Sequence, residues 1–302
     1  MPSISPFIIG MILISVIVYL IVRYVLNERQ LYKLKYTLYA SLVMFYAIIL
    51  QPIYLLRPRN PYNIRLAAIG LNPLLRLFGI KYRVENGHVL ENNKPYVIVA
   101  NHQSSLDFIG MMHIWPKYVR YCTILAKREL MFAGPFGSSS WLAGVEFIDR
   151  KNRERSTETM RQIMEKIKNK SLRLWIFPEG IHINIENLYY IIYIFSKKIG
   201  TRNMSETFLP FKLGAFRLAI EAQIPIVPIV FSSYKPIYNV DKSNKSYYWN
   251  PGCVTIKCLE PIDTTGMTLD NDLQRLTEIT RKRMVDAYLT IQTTMNNDKK
   301  DK

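Results

Sequence analysis

The chain has little with which to build a metal centre or a disulfide scaffold: 3 cysteines and 4 histidines in 302 residues. Cys122, Cys253 and Cys258 cannot form a framework of bridges. Cys253 and Cys258 are not spaced as a zinc pair, and the histidines are scattered. The expectation is no metal, with the cysteines serving as small apolar residues. Acidic residues are scarce as well, 23 Asp and Glu against 40 Lys and Arg, for a formal net charge of +17. That imbalance suggests an anionic partner, with charge kept for solubility as the plain alternative. Nucleic acid is disfavoured, because zinc-finger spacing, a helix-turn-helix signal and a basic stripe interleaved with aromatics are all missing. No G-x-S-x-G turn is present, so a serine-hydrolase nucleophile is missing too.

What the chain does have is apolar length. Ile4 to Val22 is almost wholly apolar and long enough to cross a bilayer. Without a basic stretch before it or a small-residue cleavage site after it, it reads as a retained anchor at 4–22. Arg23, Arg29, Lys33 and Lys35 then read as a cytoplasmic loop by the positive-inside bias. A second apolar run, 36–56, contains Pro52 and ends in a basic, Pro-rich stretch; it could span, kink or re-enter. The stretch 64–80, broken by Arg65, Asn72, Pro73 and Arg76, reads as an amphipathic interfacial segment. Residues 1–80 are thus expected to anchor the protein in a membrane.

Beyond residue 80 short apolar runs alternate with longer periodic segments. Tyr96–Ala100, Tyr121–Leu125, Val145–Ile148, Leu172–Phe177, Ile226–Phe231 and Cys253–Leu259 read as buried strands. Leu106–Ile114, Glu154–Lys170, Gly214–Ala222 and about Asp270 to Ile291 read as helices. Residues 154–170 are the clearest, with Met160, Ile163, Met164 and Ile167 on one face and cations on the other. The alternation predicts an α/β domain over 81–295 with a largely covered sheet, followed by a basic tail at 296–302.

Four motifs carry chemistry. Asn101-His102-Gln103-Ser104-Ser105-Leu106-Asp107 lies between a strand and a helix, where open α/β sheets place their ligands. An imidazole there can act as general base, and the carboxylate can fold back to hold its other nitrogen. With no enzyme nucleophile, the substrate's own hydroxyl is the natural attacker. A helix-capping Asn101 with an incidental histidine is the alternative. Gly144–Arg150 ends a buried strand in Asp149-Arg150; Arg150 carries a planar fork suited to phosphate, although a solvated strand end is the default reading of the motif alone. Phe177-Pro178-Glu179-Gly180 follows another strand; its glycine permits close backbone approach and its glutamate can bind hydroxyls or cations, though taken alone it is a common turn. Ile224–Val230 is an apolar strand punctuated by Pro225 and Pro228, a core or edge strand by default.

In this order and spacing the motifs resemble the glycerolipid acyltransferases, most of all the 1-acylglycerol-3-phosphate (lysophosphatidic acid) acyltransferases of the endoplasmic reticulum. The likeness runs from about residue 40 to 290 and includes Ala126–Leu130, Trp141–Arg150 and Leu209–Lys212 with Gly214–Phe216. It implies an acyltransferase-type sheet with flanking helices and direct transfer from acyl-CoA, as co-substrate, to lysophosphatidic acid, without a metal or other cofactor. By that likeness His102 deprotonates the sn-2 hydroxyl and Asp107 orients it. Arg150, Glu179, Gly180, Thr201 and Arg202 hold the glycerol phosphate, while Asn101, Ser104 and Pro178 support the motifs. The strand around Pro228 helps line the acyl path. Another lysophospholipid acceptor is the alternative. Membrane lipids are the expected surroundings, and Lys299-Lys300-Asp301-Lys302 resembles a dilysine retrieval signal of the endoplasmic reticulum.

One departure stands out. The family pattern runs from Phe-Pro-Glu-Gly straight into Thr-Arg, but here 181–200 intervene before Thr201-Arg202-Asn203. The insert is rich in Ile, Asn, Tyr, Phe and Lys, and its ends allow an in-frame GT…AG intron within the Gly180 and Gly200 codons. It reads as a retained intron, with a genuine loop as the alternative. The insert separates Arg202 from Glu179, so the expectation is an impaired or silent chain.

Overall fold

The computed structural model describes residues 25–179, 208–241 and 246–300. The anchor expected at 4–22, the insert, Gly180, Thr201 and Arg202 lie outside the described residues.

A long helix, α1 (Glu28–Leu55), opens the described chain, with its N-terminus closed by a capping box between Asn27 and Gln30. Arg29, Lys33 and Lys35, expected in a loop, are therefore helical. Helix α2 (Tyr62–Leu75) and a short 3-10 turn lead into strand β1 (Ile80–Glu85). Then come β2 (Val97–Ala100), α3 (Asp107–Tyr118), β3 (Cys122–Lys127), α4 (Gly134–Leu142), β4 (Glu146–Ile148), α5 (Arg153–Lys170) and β5 (Arg173–Ile176). After the undescribed stretch follow α6 (Gly214–Ala222), β6 (Ile226–Phe231), a hairpin of β7 (Tyr238–Asp241) and β8 (Ser246–Trp249), β9 (Gly252–Cys258) and α7 (Leu269–Lys300). Helix α7 takes in residues 296–300, expected as a separate tail.

Seven strands form one sheet in the order β1-β9-β6-β2-β5-β3-β4, parallel throughout except where β6 meets β9. Both faces are covered, which is why the central strands read as unbroken apolar runs. Strand pleating divides their side chains between two cores. Ile98, Ala100, Trp175, Val227 and Ile229 face the layer of α1 to α4. Val97, Val99, Leu174, Ile176 and Ile226 face α5, α6 and α7. The mixed α/β sheet agrees with the fold class expected. Strand β1 and the β7–β8 hairpin were not foreseen, since their lysine, arginine, asparagine and aspartate residues interrupt any apolar run.

The first core does not stop at residue 80. Helix α1 buries a stripe of Tyr32, Tyr36, Tyr39, Val43, Ala47, Leu50 and Tyr54 against the domain. That three-and-four spacing is one face of a helix. The opposite face leaves Leu38, Phe45, Ile48, Ile49 and Ile53 exposed. Length and composition would let α1 cross a membrane. The corner after it is pinned: Arg59 donates to Glu146 at 2.9 Å and to the Val145 carbonyl at 2.8 Å. Gly144, at φ 84°, lies where a Cβ would come within 3.0 Å of the Arg59 carbonyl oxygen. Glycine accommodates both that left-handed backbone and the close approach.

Candidate active site

The loop after β2 is held by three of its own side chains. The Asn101 side chain accepts from the Phe231 N–H at 2.8 Å and donates to the Phe231 carbonyl at 3.1 Å, pinning the loop to the end of β6. It does not cap a helix. Gln103 Nε2 donates to the carbonyls of Phe231 and Ser232. Ser104 Oγ accepts from the Leu106 N–H at 3.0 Å, tightening the turn into α3.

That turn brings His102 and Asp107 together, with Nδ1 to Oδ2 at 2.7 Å. The same Oδ2 accepts the N–H groups of Gln103 and Ser104 at 2.8 and 2.9 Å. Asp107 also stands in the first turn of α3, where the helix dipole favours a negative charge. Its side chain is 1 % exposed and that of His102 13 %, so the pair is shielded yet open at the histidine. The His102 ring rests on Phe177, their centroids 4.4 Å apart.

Glu179, expected from the family likeness to help hold the glycerol phosphate, lies beside this pair and is bonded to the backbone on both sides. Its Oε1 accepts the His102 main-chain N–H and its Oε2 that of Leu209, each at 3.0 Å. Burial raises its carboxyl pKa above the usual range, against the lowering effect of those two N–H groups. Both of its oxygens are thus engaged by the protein. Pro178 presents its carbonyl to the Lys212 N–H at 2.8 Å, so both ends of the undescribed stretch are tied together.

Arg150 is exposed just beyond β4, on the same carboxyl edge of the sheet. Lys127, at the end of β3, lies in the field of Arg150, Lys212 and Lys151, with Glu129 opposing them; burial and these cations lower its ammonium pKa. Lys127 and Lys212 were not singled out as binding residues from the sequence. The available signal was the stretch Ala126–Leu130, whose lysine ends a strand at the sheet edge that carries ligands. Among the described residues no group of three or more His, Cys, Asp or Glu is placed to hold a metal.

An apolar cavity enclosing about 230 Å³ reaches the pair; His102, Ser104, Asp107 and Phe177 share in its lining. Its other walls include Tyr36, Val43 and Ala47 of α1, Leu71 of α2, Met111 of α3 and Ile124 of β3. No residue of β6 lines this cavity, and Pro228, expected from the family likeness to help wall an acyl path, stands apart from it. Pro228 lies inside the sheet beside Val99, where β6 is flanked by β2 and β9. Its ring is tolerated because the β9 ladder breaks there: Leu259 bonds to Pro228, but Ile226 pairs with Ile262 across an extra residue.

The family model described as Acyltransferase matches residues 81–232. The chain is 36% identical to the 1-acyl-sn-glycerol-3-phosphate acyltransferase alpha of Homo sapiens over 87% of its length and 83% of that protein's. The beta protein of the same species is 34% identical, over 86% of this chain and 84% of that one. This chain belongs to the 1-acyl-sn-glycerol-3-phosphate acyltransferase family. In fold it is similar to the 1-acyl-sn-glycerophosphate (LPA) acyltransferase of Thermotoga maritima, with a TM-score of 0.56 at 21% identity, covering 86% of this chain and 95% of that one.

Proposed function

We propose that the protein moves a fatty acyl group from acyl-CoA to the sn-2 hydroxyl of 1-acylglycerol 3-phosphate, giving phosphatidate and CoA. The observation that carries this reading is the His102–Asp107 pair bordering an apolar cavity, in a chain whose relatives bear that acyltransferase name. With Nδ1–H donated to Asp107, the lone pair of the imidazole is on Nε2. Nε2 takes the proton of the sn-2 hydroxyl as its oxygen attacks the thioester carbonyl. The tetrahedral intermediate collapses, the C–S bond breaks, and the CoA sulfur leaves with the proton as a thiol. Asp107 stabilises the imidazolium between these steps.

The cavity suits an acyl chain, because its walls offer apolar contact and few polar partners. Lys127, Arg150 and Lys212 suit the phosphate, and their mutual repulsion in the free protein is relieved when a dianion binds. Glu179 is read as a brace on the His102 backbone. The exposed apolar face of α1 suits contact with lipid, and an integral protein of the endoplasmic reticulum with its site on the cytosolic side fits the supply of acyl-CoA.

The insert at 181–200 is read as harmful through displacement, not through loop closure. Glu179 and Leu209 are 30 positions apart, and removing 181–200 leaves 10. Closing a loop three times longer costs only about 1 kcal/mol. Thr201 and Arg202, by contrast, belong directly after Gly180 in the family pattern.

The test is acyl-CoA-dependent formation of phosphatidate in membranes carrying this chain, its His102→Ala variant, or the form lacking 181–200. Activity in the shortened form that disappears with His102→Ala is the expected result, a loss of about 10²–10⁴-fold for a general base. Equal turnover with and without the insert makes 181–200 a tolerated loop. No turnover of this acceptor by any membrane-bound form overturns the reading.

A further inference from the structure

Asp107 uses its two oxygens very unequally. Oδ2 receives three donors, from His102, Gln103 and Ser104, while Oδ1 is buried with no hydrogen-bond partner in satisfactory geometry. A carboxylate oxygen left that way is costly, and the cost is relieved by any donor that reaches it. A second buried polar atom in the same position is the hydroxyl of Tyr234. Tyr234 is 1 % exposed and follows β6 in a turn fixed by its own carbonyl, which accepts the N–H groups of Ile237 and Tyr238 at 2.8 Å. Its phenol stands next to Asp107 and Tyr82, and burial first, then these two neighbours, keeps it protonated far beyond neutral pH. An unsatisfied donor and an unsatisfied acceptor are therefore neighbours at the carboxylate that holds His102.

We propose that the Tyr234 hydroxyl donates to Asp107 Oδ1 in the working enzyme and serves as a positioning residue for the His102–Asp107 pair. The inference rests on the reading of that pair as the general base. A donor on Oδ1 fixes the rotation of the carboxylate, so that Oδ2 stays on Nδ1 and the imidazole keeps its tautomer. It also draws charge away from Oδ2, the oxygen that faces the imidazole. Tyr234 is well placed for this because the loop it belongs to is the one that Asn101 and Gln103 already grip through Phe231 and Ser232. Among the described residues the titratable groups around Asp107 are His102 on its own loop, Tyr82 from β1, Tyr234 after β6 and Glu179 after β5. His113 on α3 stacks on Tyr82, their ring centroids 5.4 Å apart. Tyr82 directs its own hydroxyl to the Leu106 carbonyl at 3.3 Å, so Tyr234 is the donor left for Oδ1.

The test is Tyr234→Phe, which keeps the ring and removes only the donor, made in the full chain and in the form lacking 181–200, the form expected to turn over, and assayed as acyl transfer in membranes across pH. The expected result is a kcat lower by about tenfold, the size of one buried hydrogen bond, with both KM values unchanged. The acid limb of kcat/KM should move to higher pH, because a carboxylate without its donor holds the imidazolium more tightly. A purely structural role for Tyr234 would lower the amount of folded enzyme and leave that limb in place. Wild-type kcat and an unmoved limb would overturn the proposal. If Tyr234→Phe does not accumulate, Tyr234→3-fluorotyrosine keeps the shape with a more acidic phenol. That variant should move the limb to lower pH, and an unmoved limb overturns the proposal there too. An inactive His102→Ala beside a normal Tyr234→Phe refutes this inference alone, whereas an active His102→Ala refutes the reading beneath it.

Discussion

The two faces of the sheet are covered by helices of different character. On one side α5 turns Ile163 and Ile167 inward, fully buried, and shows solvent a charged surface on which Arg161 pairs with Glu158 and Glu165. On the other side α1 is apolar both toward the domain and away from it, with Tyr39 and Val43 inside and Phe45, Ile48 and Ile49 outside. The apolar cavity lies under α1, bounded by α1, α2 and α3. One layer closes the core against water. The other is built to meet something apolar on both surfaces, and the His102–Asp107 pair borders that second layer.

The comparison can be broken by substitutions that treat the faces alike. The largest effect is expected at Ile163→Ala: a loss of about 2–5 kcal/mol in unfolding free energy, with acyl-chain preference unchanged, since this residue packs the closed face. Denaturant unfolding with an acyl-CoA length series checks both parts, and altered chain preference would erase the distinction. Next is Ala47→Leu on the cavity wall. It should leave unfolding nearly unchanged but lower the rate with long acyl-CoA about tenfold relative to short, some 1.4 kcal/mol of lost accommodation. A uniform change across chain lengths would mean that the acyl group lies elsewhere. The smallest effect is expected at Arg161→Ala, a change in denaturant unfolding close to the limit of detection, because its pairs are exposed and screened. A larger loss would show that the outer face of α5 contributes more than solvated charge.

The parts of the fold that were legible were those whose signal is local. Ile226–Phe231 and Gly214–Ala222 were expected at the bounds observed, and β2, β3, β5 and α5 within a few residues. Each is an apolar run or a clean helical period. Elements with mixed surfaces escaped notice: Ile80–Glu85 alternates burial along an edge strand, and α1 hides its start behind basic residues although Asn27 and Gln30 form a cap. In the site, His102 and Asp107 were legible because they are only five residues apart and one turn joins them. The brace from Glu179 spans 77 positions and the grip of Asn101 on Phe231 spans 130. No pattern in the chain marks such contacts.

By itself, then, the sequence determined which segments must be buried, where an imidazole and a carboxylate meet, and which family the chain resembles. Burial follows from composition and period, and a contact within one turn follows from backbone geometry. Only the tertiary structure decided what stands around the pair. Strand β2 lies between β6 and β5 although both come much later in the chain, and that order brings Phe231 and Glu179 to the loop that carries His102. Polar groups buried there must find partners wherever the sheet supplies them, so their roles are set by strand neighbours and not by position along the chain.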